Sequence, residues 1–600
     1  DVYKRQKEEV FMIKVPAIKQ FEDIVKKYPH NLAIVTERER VNYDDLNKRA
    51  NRLAIGLRKS GINYRNAIGI CLPPSIDMVV SVLAIQKLGV PYVPIDISYP
   101  AERIKYMISD ARISCLLTFE NFAKKIRDIK VDILSLDCFD YQNNEDENFP
   151  LQENEIVYIL YTSGSTGNPK GVEVYQKGLS NYLSYSCDNY LINKPCANTP
   201  ASFVYLPLAF DASVTSLYTP LMVGRAVVIP TKQGLEVFED PLVQNSNFDF
   251  VKLTPAHLLI LKEQMEPELL ANWTKYLVVG GEALTLQHLT YYKDLGLNWT
   301  IVNEYGPTEA VVGSTTYFFS LDTSISDKIP IGKPIYNTSI YIVDKQGKLV
   351  PNGVIGEIVI GGAGVAKGYH NNEKLTKEKF IENFKTSGNR VYKTGDLGIN
   401  QDNGEILYCG RIDDQVKVRG YRIELDDIEA GLKKIQGIVD AAVIVKKAEK
   451  NMSTIEAFYV CDYIKDSDEI NTELGKHLPT YMLPTKYTRI NKMPITTNGK
   501  IDRKALGTLK TKSFKTEEKL TNVESKLLTL WTDVLKTQNI RTTDKFSVLG
   551  GHSLLAVMLI AKINQEFSVK LPILSLYPNG TLRDIAQQIE AEKKNTKEAI

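Results

Sequence analysis

The chain has 600 residues, 43% of them hydrophobic and 24% charged, an ordinary balance for globular protein. Its 74 basic and 72 acidic residues leave a net charge of +2, which supplies no general pull toward nucleic acid or a membrane surface. No apolar run reaches the roughly 18 residues of a membrane span, and the seven cysteines form no C-x-x-C pair and no metal-like cluster with the six histidines. The expectation is a cytoplasmic protein with reduced thiols, too long for a single core.

Residues 1–15 read as a leader or the edge of a fragment, with no signal-peptide core. From Pro16 to Ile412 helical patterns such as Tyr43–Ser60 and Ile76–Leu88 alternate with short apolar runs. The runs include Ala67–Leu72, Ile113–Leu117, Ala226–Ile229, Phe250–Leu253 and Tyr276–Val279. That alternation predicts an α/β core with largely parallel, buried sheets. After Ile340 the spacing shortens to strand-turn-strand, so a small β-rich subdomain closes the core. A shorter α+β segment follows over 413–510, then a polar linker over 511–520. Residues 521–595 carry only helical stripes: Val523, Leu527, Leu530, Trp531 and Val534, then Leu554, Leu555, Met558, Leu559 and Ile563, then Leu582, Ile585 and Ile589. They predict a small all-α bundle of four helices.

The densest local signal is Tyr161-Thr-Ser-Gly-Ser-Thr-Gly-Asn-Pro-Lys-Gly-Val172, behind the apolar run Glu155–Leu160. Glycines let backbone N–H groups approach an anion, hydroxyls add donors, and Lys170 adds a point charge. This is a phosphate-gripping loop, and it differs from a Walker A loop, which needs Gly-Lys-Ser/Thr. Downstream, Asn303-Glu-Tyr-Gly-Pro-Thr-Glu309 joins an aromatic face, a tight turn and a carboxylate able to meet Mg²⁺. Tyr392–Leu397 sets Asp396 after a strand-like run, Arg411–Gly420 is a charged strand, and Asn498–Leu506 presents Lys500 on an Asn-Gly turn. Leu549-Gly-Gly-His-Ser-Leu554 places Ser553 ahead of an apolar helical stripe. Each string alone also fits a structural role, as a polar turn, a capped loop or a helix N-cap.

In this order the strings resemble the adenylation domain of nonribosomal peptide synthetases, within the adenylate-forming superfamily of acyl-CoA ligases and luciferases. Leu88–Asp96, Phe210–Ser213, Gly356–Tyr369, Gln415–Glu429 and Leu478–Pro484 extend the resemblance over about 16–510. It implies a large multi-subdomain adenylate-forming core and a small C-terminal subdomain, with a hinge near Asp413. Thr162, Ser163, Gly164, Ser165, Thr166, Gly167 and Lys170 would manage the ATP phosphates. Tyr305 and Gly281-Glu282-Ala283 would border adenine, and Asp396 and Arg411 would hold the ribose. Asn303, Tyr408 and Lys417 complete the implied nucleotide set. Thr308 and Glu309 would serve the phosphate, with Glu309 on Mg²⁺, and Lys500 would be the catalytic cation. The tail resembles a peptidyl carrier domain, which makes Ser553 the attachment point for 4′-phosphopantetheine.

By the same resemblance Asp211 pairs with an α-amino group, and the side-chain pocket is Ala212, Thr215, Leu253, Val278, Gly280, Glu304, Val312 and Gly313, with Lys500. Four of these resemble asparagine-activating pockets, which usually carry a lysine where Leu253 stands. An apolar Leu253 beside Glu304 suits tyrosine or another neutral side chain equally. The implied activity is ATP-dependent formation of an aminoacyl-AMP with release of pyrophosphate, then thioester loading of the carrier. The implied partners are a phosphopantetheinyl transferase and neighbouring synthetase modules carrying condensation, thioesterase or reductase functions; no nucleic acid or membrane is expected. Two rivals are an acyl-CoA ligase with a fused carrier and a catalytically silent scaffold. Asp211 and the Gly-Gly-His-Ser string oppose the first; the intact Lys500, Glu309 and Asp396 oppose the second.

Overall fold

The structure is a computed structural model. It describes residues 15–61, 66–126, 128–141, 149–152, 154–164, 168–191, 199–323, 328–382, 390–413, 415–418, 421–447, 453–461, 463, 465–495, 501–509, 520–535, 540–546, 549, 551, 553–576 and 580–598. The chain divides into two compact units. The first is formed by Asp1–Ser163, Pro169–Pro255 and Glu266–Gln415, and the second by Val416–Ile600 grouped with two short segments, Gly164–Asn168 and Ala256–Met265.

The first unit is built on the alternation legible in the sequence. The helix expected over Tyr43–Ser60 spans Tyr43–Lys59, and its start is capped by the Asn42 side chain, which accepts from the Asp45 amide. The run at Ala67–Leu72 becomes the strand Ile68–Cys71, buried at all four positions because helices cover both faces of a parallel sheet. That strand lies in a seven-stranded sheet with Tyr92–Pro94, Cys115–Thr118 and Asp132–Ser135, all parallel, and with Ile156–Thr162. Two antiparallel strands, Lys170–Tyr175 and Gly368–Tyr369, finish its edge.

A second large sheet carries Phe248–Leu253, Thr274–Gly280 and Thr300–Tyr305 in parallel, closed by the antiparallel Thr315–Ser320 and Lys333–Pro334. Its three parallel strands end side by side, and the carboxyl ends of such strands are where open α/β sheets bind ligands. The β-rich region expected after Ile340 is a five-stranded sheet of Thr338–Val343, Ile355–Gly362, Phe380–Glu382, Arg390–Asn400 and Ile406–Arg411.

In the second unit, Leu425–Lys433 and Ser467–Gly475 pack on a three-stranded sheet of Asp440–Lys447, Ser453–Val460 and Lys486–Ile490. Among the described residues the C-terminal bundle has three α-helices, Asn522–Leu535, Ser553–Phe567 and Leu582–Glu598, and a one-turn 3-10 segment, Ile573–Ser575. The expected stripes face inward. Trp531 is fully buried edge-on to Phe546 at 5.4 Å, and Leu582, Ile585 and Ile589 are fully buried. Each such side chain contributes about 1.5–3 kcal/mol relative to exposure.

Candidate functional site

The glycine-serine loop is the turn of a β-hairpin. Thr162 ends one strand, Lys170 opens the next, and the two are direct register partners. No helix follows the loop immediately, so phosphate contacts here would come from loop amides and hydroxyls rather than from a helix N-terminus. Thr162 and Ser163 are both buried, and among the described residues the Thr162 hydroxyl has no hydrogen-bond partner. A buried hydroxyl of that kind is able to meet a ligand oxygen. Gly164 continues the chain, while Ser165, Thr166 and Gly167 lie outside the described residues. Lys170 reaches over the Tyr369 ring, 5.0 Å from its centroid.

The Tyr369 hydroxyl donates to Glu309 Oε1 at 2.6 Å, and Glu309 is 0% exposed. Its neighbour Thr308 donates its hydroxyl to Asp211 Oδ2 at 2.6 Å. One short 3-10 turn, Thr308–Ala310, thus carries the acid implied for Mg²⁺ and a contact to the acid implied for the amino group. The residues fit a Mg²⁺ ion: it is commonly held by one or two carboxylates plus phosphate oxygens, and Glu309 supplies one such carboxylate beside the loop. Among the described residues no cluster of three or more metal-ligating side chains could hold it without phosphate.

The ribose-side residues also meet. Asp396 is 3% exposed and accepts from the Tyr305 hydroxyl and from Arg411 Nη1, each at 2.6 Å. Burial, and then the Asp396 charge, push the Tyr305 hydroxyl far above its ordinary pKa, so it stays a donor. Tyr408 packs against Tyr305 with ring centroids 6.2 Å apart. Asp413 is bound through both oxygens by Arg411, which holds its carboxyl below the usual range although burial acts the other way. Gly281, Glu282 and Ala283 follow directly on the strand Thr274–Gly280. Asn303 donates its amide to the Pro330 carbonyl at 2.7 Å, a bond internal to the protein.

The pocket residues are sorted by the sheet. Parallel strands in register point neighbouring side chains to the same face, and successive residues alternate. Lys252 pairs with Val278 and Val278 with Val302; Gly280 pairs with Glu304. These five therefore share one face. Leu253 pairs with Val279 and Val279 with Asn303, which puts Leu253 on the opposite face. The expected lining by Leu253 is corrected: Lys252 stands beside Val278, Gly280 and Glu304. The cause of the miss is physical, because Phe248–Leu253 is buried at all six positions and shows no alternation to read.

Lys252 is 4% exposed and forms an ion pair with Glu304, 5% exposed. Its ammonium also donates to Thr215 Oγ1 at 2.9 Å. Thr215 lies one turn beyond Asp211 on the helix Ala212–Leu221, so this helix brings Asp211, the acid implied for the amino group, and Thr215, implied for the side-chain pocket, onto one side. Gly313 is required here, since a Cβ on it would come within 2.7 Å of Glu304 Cδ. Val311 and Val312 both hold positive φ, 57° and 62°, a strain of about 1–3 kcal/mol each that β-branched residues keep only where surroundings demand it.

In the second unit Lys417 lies on the short strand Val416–Val418, opposite Arg422. Lys500 falls outside the described residues; Ile495 and Ile501, on either side of it in sequence, form an isolated bridge. The helix Ser553–Phe567 opens at Ser553 itself. Gly551, just before it, is packed so closely on Phe546 that a Cβ would sit 2.4 Å from the ring and from the carbonyl oxygen. Gly551 therefore lets the chain pass tightly over Phe546 before the helix starts. A serine at a helix start suits a phosphodiester, because the adjacent N–H groups face the anion.

Residues 21–370 match the family described as AMP-binding enzyme, 427–500 the AMP-binding enzyme C-terminal domain, and 525–589 the phosphopantetheine attachment site. Tyrocidine synthase 3 of Brevibacillus parabrevis is 37% identical over 590 residues, 96% of this chain and 9% of that protein. Gramicidin S synthase 2 of Brevibacillus brevis is 36% identical over 581 residues, which is 95% of this chain and 13% of that protein. The chain thus spans a minor part of both relatives. Among solved structures, an NRPS protein containing adenylation and PCP domains, in its holo form with a vinylsulfonamide inhibitor, superposes with a TM-score of 0.81. It is 24% identical and covers 96% of this chain and 97% of its own, a likeness of fold.

Proposed function

We propose that this chain, which belongs to the AMP-binding enzyme family and joins an adenylation domain to a phosphopantetheine carrier domain, activates asparagine with ATP and loads it as a thioester on its own carrier. The observation that carries the substrate is the buried Lys252–Glu304 pair with Thr215. A carboxamide has one acceptor oxygen and one donor NH₂, and this pocket sets a donor ammonium beside an acceptor carboxylate. A tyrosine brings a single hydroxyl at the far end of an apolar ring, a poorer answer to a donor and an acceptor set side by side than a carboxamide is. With Lys252 in place, the pocket also has the lysine that asparagine-activating relatives carry.

The chemistry follows from charge. A carboxylate oxygen of the amino acid forms a bond to the α-phosphorus as the bond to the bridging oxygen breaks, and pyrophosphate leaves. Two anions must be brought together, so positioning and neutralisation carry the rate and no general base is needed. Asp211 holds the ammonium, Thr308 and the glycine-serine loop hold phosphate oxygens, and Asp396 with Tyr305 and Arg411 receives the ribose. Lys500 is the cation for the forming bond, which stabilises the transition state more than the separated reactants. Glu309 would hold Mg²⁺, which would supply further charge neutralisation. Ser553 would carry the phosphopantetheine arm, which would supply the acceptor thiol for thioester formation, with AMP as the leaving group.

Two variants test the assignment. Ser553→Ala retains asparagine-dependent pyrophosphate exchange and loses covalent loading of the chain; loading that persists contradicts the carrier role. Lys500→Ala abolishes the exchange itself.

A further inference from the structure

The side-chain pocket contains two residues that neither motif nor pocket pattern indicates, Tyr182 and Tyr190 on the helix Gln176–Asn189 and just past its end. Both are buried, and both hydroxyls donate to the same oxygen, Glu304 Oε1, at 2.9 Å and 2.7 Å. Lys252 takes the other oxygen, Oε2. Tyr182 lies 2.6 Å from Thr215 Oγ1, which in turn accepts from Lys252. A hydroxyl has one proton to give. Since Tyr182 spends its proton on Glu304, Thr215 must donate to Tyr182. The order is therefore fixed: Lys252 to Thr215, Thr215 to Tyr182, Tyr182 to Glu304, with Lys252 closing the ring on Oε2. Such a chain polarises each bond in the same sense.

We propose that Tyr182 and Tyr190 are positioning residues that preset Glu304, occupying Oε1 so that Oε2 and the Lys252 ammonium form the fixed edge that reads the substrate side chain. With both tyrosines in place, Oε1 has no lone pair to spare and the carboxylate cannot rotate to meet other donors. The pair is neutral as a unit, so a carboxamide adds no charge, whereas the isosteric carboxylate of aspartate adds an uncompensated one beside Glu304. The tyrosines thus convert a buried ion pair into a selector of asparagine over aspartate. The ionisable groups facing Glu304 are Lys252, Tyr182 and Tyr190, with Asp211 acting on Tyr182 and Tyr185 on Tyr190. Burial, then the Glu304 charge, holds both tyrosine hydroxyls far above their ordinary pKa, so they remain protonated donors.

The inference rests on the asparagine reading, and one experiment separates the two. Pyrophosphate exchange by the full chain is measured with asparagine, aspartate and tyrosine for the wild type, Tyr190→Phe and Tyr182→Phe. In Tyr190→Phe the KM for asparagine rises roughly tenfold, as expected for losing a hydrogen bond to a charged group, the preference over aspartate falls, and kcat and the KM for ATP change little. Unchanged selectivity in both variants, or an equal loss for asparagine, aspartate and ATP, overturns the positioning role. If Tyr190→Phe fails to fold, Tyr182→Phe decides by the same readouts. A wild type that ignores asparagine and takes another amino acid overturns the asparagine reading instead; the positioning role is then read on that amino acid and its nearest isostere.

Discussion

The side-chain pocket and the two ends of the phosphate loop, Thr162-Ser163 and Lys170, lie in the same unit and are built on opposite plans. In the pocket the polar groups Lys252, Glu304, Thr215, Tyr182 and Tyr190 answer one another within the protein. At the phosphate loop the buried Thr162 hydroxyl has no partner among the described residues. A closed network fixes geometry before the ligand arrives and so discriminates between ligands; an open one is completed by the ligand and so binds it. Under the proposed function, specificity belongs to the first and ATP affinity to the second.

The largest effect expected from breaking this contrast is at Lys252. Lys252→Ala leaves Glu304 buried without its counter-charge, so denaturant unfolding of the chain shows a loss of about 3–5 kcal/mol, and asparagine-dependent exchange disappears. A smaller and opposite pattern is expected at the loop. Thr162→Val removes an unsatisfied hydroxyl at constant shape, which leaves stability unchanged or slightly raised, yet the KM for ATP rises roughly tenfold as a contact to a charged phosphate is lost. A Thr162→Val chain that is clearly destabilised would mean that the loop is as closed as the pocket.

The smallest effect concerns the strand behind the loop. His370 Nδ1 and Glu173 Oε1 are 2.6 Å apart at the sheet edge, where Gly368–Tyr369 pairs with the strand that bears Glu173. The bond to Glu173 is the main cause raising the His370 pKa, and the same bond is the main cause lowering that of Glu173. A raised histidine stabilises fully below its unfolded pKa, and the effect fades as pH rises through the folded one. The lowered carboxyl stabilises above its unfolded pKa, and the effect fades as pH falls through the folded one. The pair therefore helps most in the mildly acidic window between the two unfolded values. His370→Gln costs more stability near pH 6 than well above pH 7, by at most about 1 kcal/mol, as thermal melts at the two pH values would show.

Much of this was legible in the sequence because it depends on local pattern. The alternation that predicts Ile76–Leu88 as a helix, found over Ile76–Lys87, is a property of neighbouring residues. The spacing of Val523, Leu527, Trp531 and Val534 likewise turns one stripe inward without reference to anything distant. Lys252 was not legible in that way. A strand buried on both faces carries no period-two signal, so nothing in the local pattern marks Lys252 rather than Leu253 as sharing the face of Glu304. The clue was chemical: a lysine inside an apolar run of a parallel sheet must find a partner, because a buried charge is otherwise too costly. Tyr182 and Tyr190 left no sequence sign at all, since their role depends on Glu304, more than a hundred positions away. The same holds for Thr308 and Asp211, whose contact exists only once the sheet is assembled.

The central claim is that a preset Lys252–Glu304 edge chooses a carboxamide. Its most direct test is amino-acid-dependent pyrophosphate exchange by the unmodified chain across a panel of amino acids. Asparagine should give the highest kcat/KM, with aspartate and tyrosine far below it. A higher kcat/KM for tyrosine, phenylalanine or aspartate than for asparagine would contradict the account.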